Sequence, residues 1–211
     1  MVDSEDIFRR SKRELRGAAA AIQAMRDAKD FDAYALAWQT FLDKLEKVWV
    51  KAERECQHIR NRFEPWQAAF KELRKTDPVL RYLHQARHAD QHSIQPTACE
   101  SLFGFRMEIP PGGTVDVEID KEKGQLRVHG ACQIKAVSGS RHMLVPITNR
   151  GTQYNPPEEH LGQKLEDNSP PCVAEKGLAF YEDFLLQAEA KFFPPAARGD
   201  VDGERHADLP C

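Results

Sequence analysis

Apolar residues first recur at helical spacing over residues 4–28, where Ile7, Phe8, Leu15, Ala19, Ile22 and Met25 fall on one side. Ser4 is placed to cap this segment, and Arg9, Arg10, Lys12, Arg13 and Arg16 crowd its polar side. Asp30 or Asp32 starts a longer helix, predicted to reach about Phe63. Its stripe is Tyr34, Trp38, Phe41, Leu45, Val48, Ala52, Cys56, Ile59 and Phe63, the strongest periodic signal in the chain. These residues are expected to be core, as is Trp49. Pro65 permits a new helix with Trp66, Phe70 and Leu73 inward. Asp77-Pro78 reads as N-cap and first helical residue of a fourth, Val79 to about Ser93, which Pro96 stops.

The period then changes. Ser101–Ile109 looks extended and is followed by the turn Pro110-Pro111-Gly112-Gly113. Val115, Val117 and Ile119 alternate with polar residues, as do Leu126, Val128, Cys132 and Ile134 after a turn at 121–124. Met143–Thr148 can add a strand, so an antiparallel meander of three or four strands is expected, one face on the bundle. Residues 149–171 read as loop, with one helical turn near Glu158–Leu165. A last helix, Val173–Phe193, carries Leu178, Tyr181, Leu185, Ala188 and Phe192 on one stripe. The tail from Pro194 is rich in Pro, Gly and Asp and is expected to be disordered.

The expected fold is therefore α+β: an antiparallel helical bundle over 1–95, then a small antiparallel β-meander, loop and C-terminal helix over 96–193 that packs back on the bundle, then the 194–211 tail. The sheet is too small to stand alone, which argues for one cooperative unit.

Composition sharpens this. Of 211 residues, 41% are hydrophobic and 30% charged, which suits a folded core. No run approaches the roughly 18 apolar residues of a membrane span. The acidic start Met1-Val2-Asp3-Ser4-Glu5-Asp6 does not resemble a secretory leader, so a cytoplasmic location is expected. The five cysteines, Cys56, Cys99, Cys132, Cys172 and Cys211, are scattered without Cys-x2-Cys spacing and read as reduced thiols. The net charge of −3 excludes a globally basic nucleic-acid binder. It is uneven, however. Residues 1–95 hold 18 Lys/Arg against 15 Asp/Glu, with four of the eight histidines; the remainder holds 12 against 18. An anionic partner belongs with the first part.

The most chemically loaded stretch is the fourth helix, Leu80-Arg81-Tyr82-Leu83-His84-Gln85-Ala86-Arg87-His88-Ala89-Asp90-Gln91-His92-Ser93. Histidine can take a proton from a ribose 2′-hydroxyl, or give one to a leaving oxygen, near neutral pH. Arginine offers forked donors to a phosphate and to the charge that grows there. Arg87 and His92 lie about 140° apart on a helix, so they converge only near its end or across a dimer interface. His84, His88 and His92 also suggest a metal site at i, i+4 and i+8. The third is rotated about 80° from the first, and no acidic residue stands in His-Glu-x2-His fashion. A solvated face with no special chemistry is the plain alternative.

Ala86-Arg87-His88-Ala89-Asp90-Gln91-His92 resembles the Arg-x4-6-His motif of the HEPN superfamily, with a polar residue after the arginine and a location late in a helical bundle. The resemblance covers the four helices of residues 4–95. It implies a metal-independent endoribonuclease, often a toxin or defence effector, that works as a dimer bringing two motifs into one cleft. Arg87 would contact the scissile phosphate, His92 would be the general acid/base, and His88 would orient the motif, with His84 and Gln91 in support. RNA, a second copy and an antitoxin-like protein are the partners implied; no metal or cofactor is. The alternative is a non-catalytic bundle for partner binding or self-association, or a histidine-helix metal binder.

Overall fold

The computed structural model describes residues 7–92, 95–102, 105–120, 125–130, 132–136 and 140–194. It is an α+β fold: five helices around one core, with small antiparallel strand pairs. Helix α1 (Arg9–Asp27) runs along α2 (Phe31–Glu55). Asp30 caps α2, its carboxylate accepting from the Ala33 amide at 2.8 Å. Tyr34, Trp38, Phe41, Leu45, Val48 and Ala52 are all buried, as the stripe predicts.

The helix nevertheless stops at Glu55 rather than running to Phe63. A 3-10 turn at Gln57–Ile59 redirects the chain into α3 (Arg60–Thr76), so Pro65 lies inside α3 instead of starting it. Cys56, Ile59 and Phe63 still pack on the core, which is why the stripe continues through the corner. α1 also begins differently. Phe8, in the left-handed region, stands at its N-cap without a side-chain bond. Glu55, at the end of α2, substitutes. Its carboxylate accepts from the Arg10 amide at 2.8 Å, from the Ser11 amide at 3.2 Å and from the Ser11 hydroxyl. Ser4 lies outside the described residues.

α4 (Pro78–His92) starts at Asp77, whose carboxylate accepts from the Leu80 amide at 3.0 Å. α5 (Pro170–Phe192) packs against α1, α2 and α4. Phe180 and Phe184 join Tyr181, Leu185 and Ala188 inside, so its buried face is wider than one stripe. Gly177 lies against Leu83 and Leu45, and a Cβ there would clash with Leu83 Cδ1.

The strands pair two by two rather than as one meander sheet. β1 (Ala98–Leu102) pairs with β6 (Ser140–Leu144), β2 (Phe105–Glu108) with β5 (Gln133–Ala136), and β3 (Val115–Asp120) with β4 (Gln125–Gly130), a nested hairpin. Period 2 marks a strand without naming its partner, and here every outgoing strand takes its own return. The base of this hairpin is stapled to the bundle. Tyr82 Oη donates to the Val145 carbonyl at 2.8 Å, and Trp38 Nε1 to Thr97 Oγ1 at 2.9 Å.

Residues 147–164 form two small hairpins; Ile147 and Thr148 fall at the end of an expected strand, but from 149 on loop and one helical turn are expected. They are β7 (Ile147–Asn149) with β8 (Thr152–Tyr154), and β9 (Glu159–His160) with β10 (Gln163–Lys164). Their turns, Arg150-Gly151 and Leu161-Gly162, all have positive φ, the geometry that closes a two-residue hairpin and bars a helix. Cys56, Cys99, Cys132 and Cys172 are free thiols. Among the described residues, no helix is long and apolar enough to cross a membrane. Residues 195–211, including Cys211, lie outside those described.

Candidate functional site

Helix α4 is held at its start and on both flanks. Besides capping the helix, Asp77 receives His160 Nδ1 at 2.9 Å and the Leu161 amide at 2.6 Å, so the β9–β10 hairpin is clamped to the same carboxylate. Burial raises the proton affinity of Asp77, but these partners outweigh it and hold the carboxyl below its usual range. Val79, Leu80, Tyr82, Leu83, Ala86 and Ala89 fill the core side of α4. That fixes which way Arg81, His84, Gln85, Arg87 and His88 turn.

Arg81, His84 and Gln85 line a cleft of about 380 Å³ with Lys71, Arg74 and Lys75 of α3, Trp49 of α2 and Tyr154 of β8. Among the described residues, four permanent cations and no carboxylate form its wall. Arg74 is the fixed one. Its guanidinium lies 4.3 Å from the Trp49 ring centre and 5.7 Å from that of Tyr181, and it donates to Glu46 at 2.5 Å. Lys71 and Lys75 are more open, with the half-buried Glu53 at 3.3 Å and the exposed Glu72 at 3.9 Å as partners. Such surface pairs contribute about 0–1 kcal/mol and yield readily to a stronger anion. The Arg81 guanidinium stands 5.9 Å from the Tyr154 ring centre. Gln85 is oriented by Asn149, which donates to its carbonyl oxygen at 2.7 Å.

His84 is the titratable group of this wall. Burial, then the nearby Arg74 cation, pushes its pKa down to about 4; Glu46 opposes, and His88 and Arg87 add to the depression. The His88 ring meets it edge-on at 4.6 Å. At neutral pH His84 is an uncharged imidazole facing cations.

Of the residues singled out from sequence, His84 lines the cleft and His88 stands beside it. Arg87 and Gln91 turn instead toward α2. Gln91 donates to Asp43 Oδ1 at 2.9 Å, and Arg87 Nε lies 3.8 Å from the same oxygen, closed off from water and without a hydrogen bond. His92 is the last residue of α4, and its side chain lies outside those described. Among the described residues no group of three or more His, Cys, Asp or Glu is arranged to hold a metal ion. The residues that sequence reasoning passed over are Lys71, Arg74, Lys75 and Arg81. Their signal was the i, i+3, i+4 spacing of Lys71, Arg74 and Lys75, which puts three cations on one face of a helix. Tyr154 comes from a segment expected to be a connector.

No family model matches the chain, and no curated protein or solved structure gives a significant match.

Proposed function

We propose that this protein binds single-stranded RNA through the α3–α4 cleft and cleaves it without a metal. The observation that supports this is the cleft wall: Lys71, Arg74, Lys75 and Arg81 with Tyr154, around a neutral histidine and above a buried Trp49 that carries Arg74. Cations beside an aromatic ring suit a single strand, whose phosphates and base faces are both exposed. In this reading Lys71, Lys75 and Arg81 take the phosphates. His84 accepts the proton of a 2′-hydroxyl; the freed oxygen attacks phosphorus, and the 5′-oxygen leaves and takes a proton from water, giving a 2′,3′-cyclic phosphate and a 5′-hydroxyl. An imidazole of pKa about 4 is a weak base. A bound phosphate strengthens it by offsetting the Arg74 cation. The resemblance to the HEPN superfamily would place the chemistry at Arg87 and His92 instead, and would add a dimer.

The test is incubation of end-labelled single-stranded RNA with purified protein in EDTA. Cyclic phosphate ends, lost in His84→Ala and retained in His92→Ala, are expected. The reverse pattern would move the chemistry to Arg87 and His92. Binding without cleavage by a folded protein would reduce the reading to RNA recognition. No binding at all would leave a bundle that serves protein partners. Light scattering on the same sample reads the oligomeric state.

A further inference from the structure

A second cleft adjoins the first, and the same two side chains, Arg81 and Tyr154, line both. We infer that this second cleft is a nucleobase pocket, so that one nucleotide straddles the Arg81–Tyr154 pair with its phosphate on the α3 side and its base on the other. This rests on the phosphate-binding reading of the first cleft.

The second cleft measures about 290 Å³. Its wall follows β8 into Asn155-Pro156-Pro157 and on to Glu158. Two successive prolines fix their own φ and hold the residue before them extended, so this wall is stiff. Pro157 is buried and Tyr154 half-buried, which leaves part of the Tyr154 ring open to the cleft. Tyr82 also lines it, but its hydroxyl is committed to the Val145 carbonyl. It therefore acts as floor. The rim is polar: Gln153 donates to the Asn155 side-chain oxygen at 2.8 Å, and Glu158 and Glu159 are exposed.

The two clefts differ in charge. Among the described lining residues the α3 side has four cations, three of them backed by Glu46, Glu53 and Glu72, and no carboxylate facing it, whereas the β8 side has two carboxylates and only the shared Arg81. A phosphate is repelled from the second cleft. A flat, uncharged ring is not, since Tyr154 and the Arg81 plane both offer it a stacking surface. Ionised carboxylates only accept hydrogen bonds, so Glu158 and Glu159 favour bases with an exocyclic amine. Adenine and cytosine have one; uracil does not.

The experiment is fluorescence anisotropy with labelled ten-nucleotide oligo(A), oligo(C) and oligo(U), alongside displacement by inorganic polyphosphate. Wild-type protein is expected to bind oligo(A) and oligo(C) several-fold more tightly than oligo(U). Tyr154→Ala is expected to weaken oligo(A) by about 5- to 150-fold, the usual worth of one stacked base, and to weaken polyphosphate far less. Tyr154→Phe keeps the ring and is expected to bind as wild type. Glu158→Gln is expected to narrow the gap between oligo(A) and oligo(U). If Tyr154→Ala weakens RNA and polyphosphate alike, or neither, while the variant remains folded by circular dichroism, the base pocket is wrong and the phosphate cleft stands. If wild-type protein binds neither ligand, the phosphate cleft itself is wrong.

Discussion

An imidazole beside an arginine is an unfavourable place for a second positive charge. His84 answers this by losing its proton, with burial and Arg74 together taking its pKa to about 4. A phosphate in the cleft changes the sum, because an anion favours the protonated ring and opposes Arg74. His84 is therefore expected to titrate near pH 4 in the free protein and higher once inorganic polyphosphate is bound. Imidazole carbon–proton shifts followed by NMR across pH 3–8 would read this directly. An unchanged midpoint at saturating polyphosphate would separate His84 from the anion site. Arg74 also shows what a fixed cation needs. Trp49 and Glu46 give it a flat face and a carboxylate, demands that a lysine ammonium meets poorly. Lys71 and Lys75, more open, are free to follow a ligand.

At the scale of elements, Tyr82 joins two parts of the molecule. It is buried in α4, and its hydroxyl fastens the base of the long hairpin at Val145. Tyr82→Phe is expected to lower stability by about 1 kcal/mol, the usual net worth of one hydrogen bond. Amide exchange should accelerate at 143–147 more than in α2, and equal acceleration throughout would show that the bond does not tether the hairpin. The helices were legible in the sequence because 3.6-residue periodicity is a local property: Tyr34, Trp38, Phe41 and Leu45 are spaced as they are packed. The Asp77-Pro78 start of α4 was legible for the same reason. The start of α1 was not, since its cap is Glu55, more than forty residues along the chain. The end of α2 was hidden because Cys56, Ile59 and Phe63 keep the apolar register while the backbone turns. The α4 histidines stand out by composition, but the cleft that His84 lines depends on Lys71 and Tyr154 coming together across 83 positions, which no local pattern encodes.

For the molecule as a whole, His84 and Glu14 make stability depend on pH in successive windows, and Asp77, also held below its usual range, adds to the lower one. His84 has a folded pKa of about 4, below its usual 6.5. Above pH 6.5 it is neutral in both folded and unfolded chains. As pH falls from 6.5 toward 4, the unfolded chain takes up a proton that the folded one refuses, and stability is lost. Glu14, a carboxylate in α1 with only 5% of its side chain exposed, follows lower down. Burial opposes its charge, but Lys44 at 2.8 Å and Lys51 more than compensate, holding its pKa at about 2 against a usual 4.5. Its contribution is complete above pH 4.5 and fades as pH falls toward 2. Urea midpoints measured by circular dichroism from pH 8 to pH 3 should therefore be level at first. They should decline below about 6.5 and decline further below about 4.5. His84→Asn is expected to flatten the first decline alone, and Glu14→Gln to reduce the second alone, leaving the part that Asp77 contributes. α5 buries Phe184 and Leu185 against the bundle, so both declines should appear as one cooperative loss of helix. A wild-type midpoint that stays level down to pH 4.5 would mean that His84 keeps its ordinary proton affinity in the folded protein, and that the cleft is wetter or less cationic than its wall suggests.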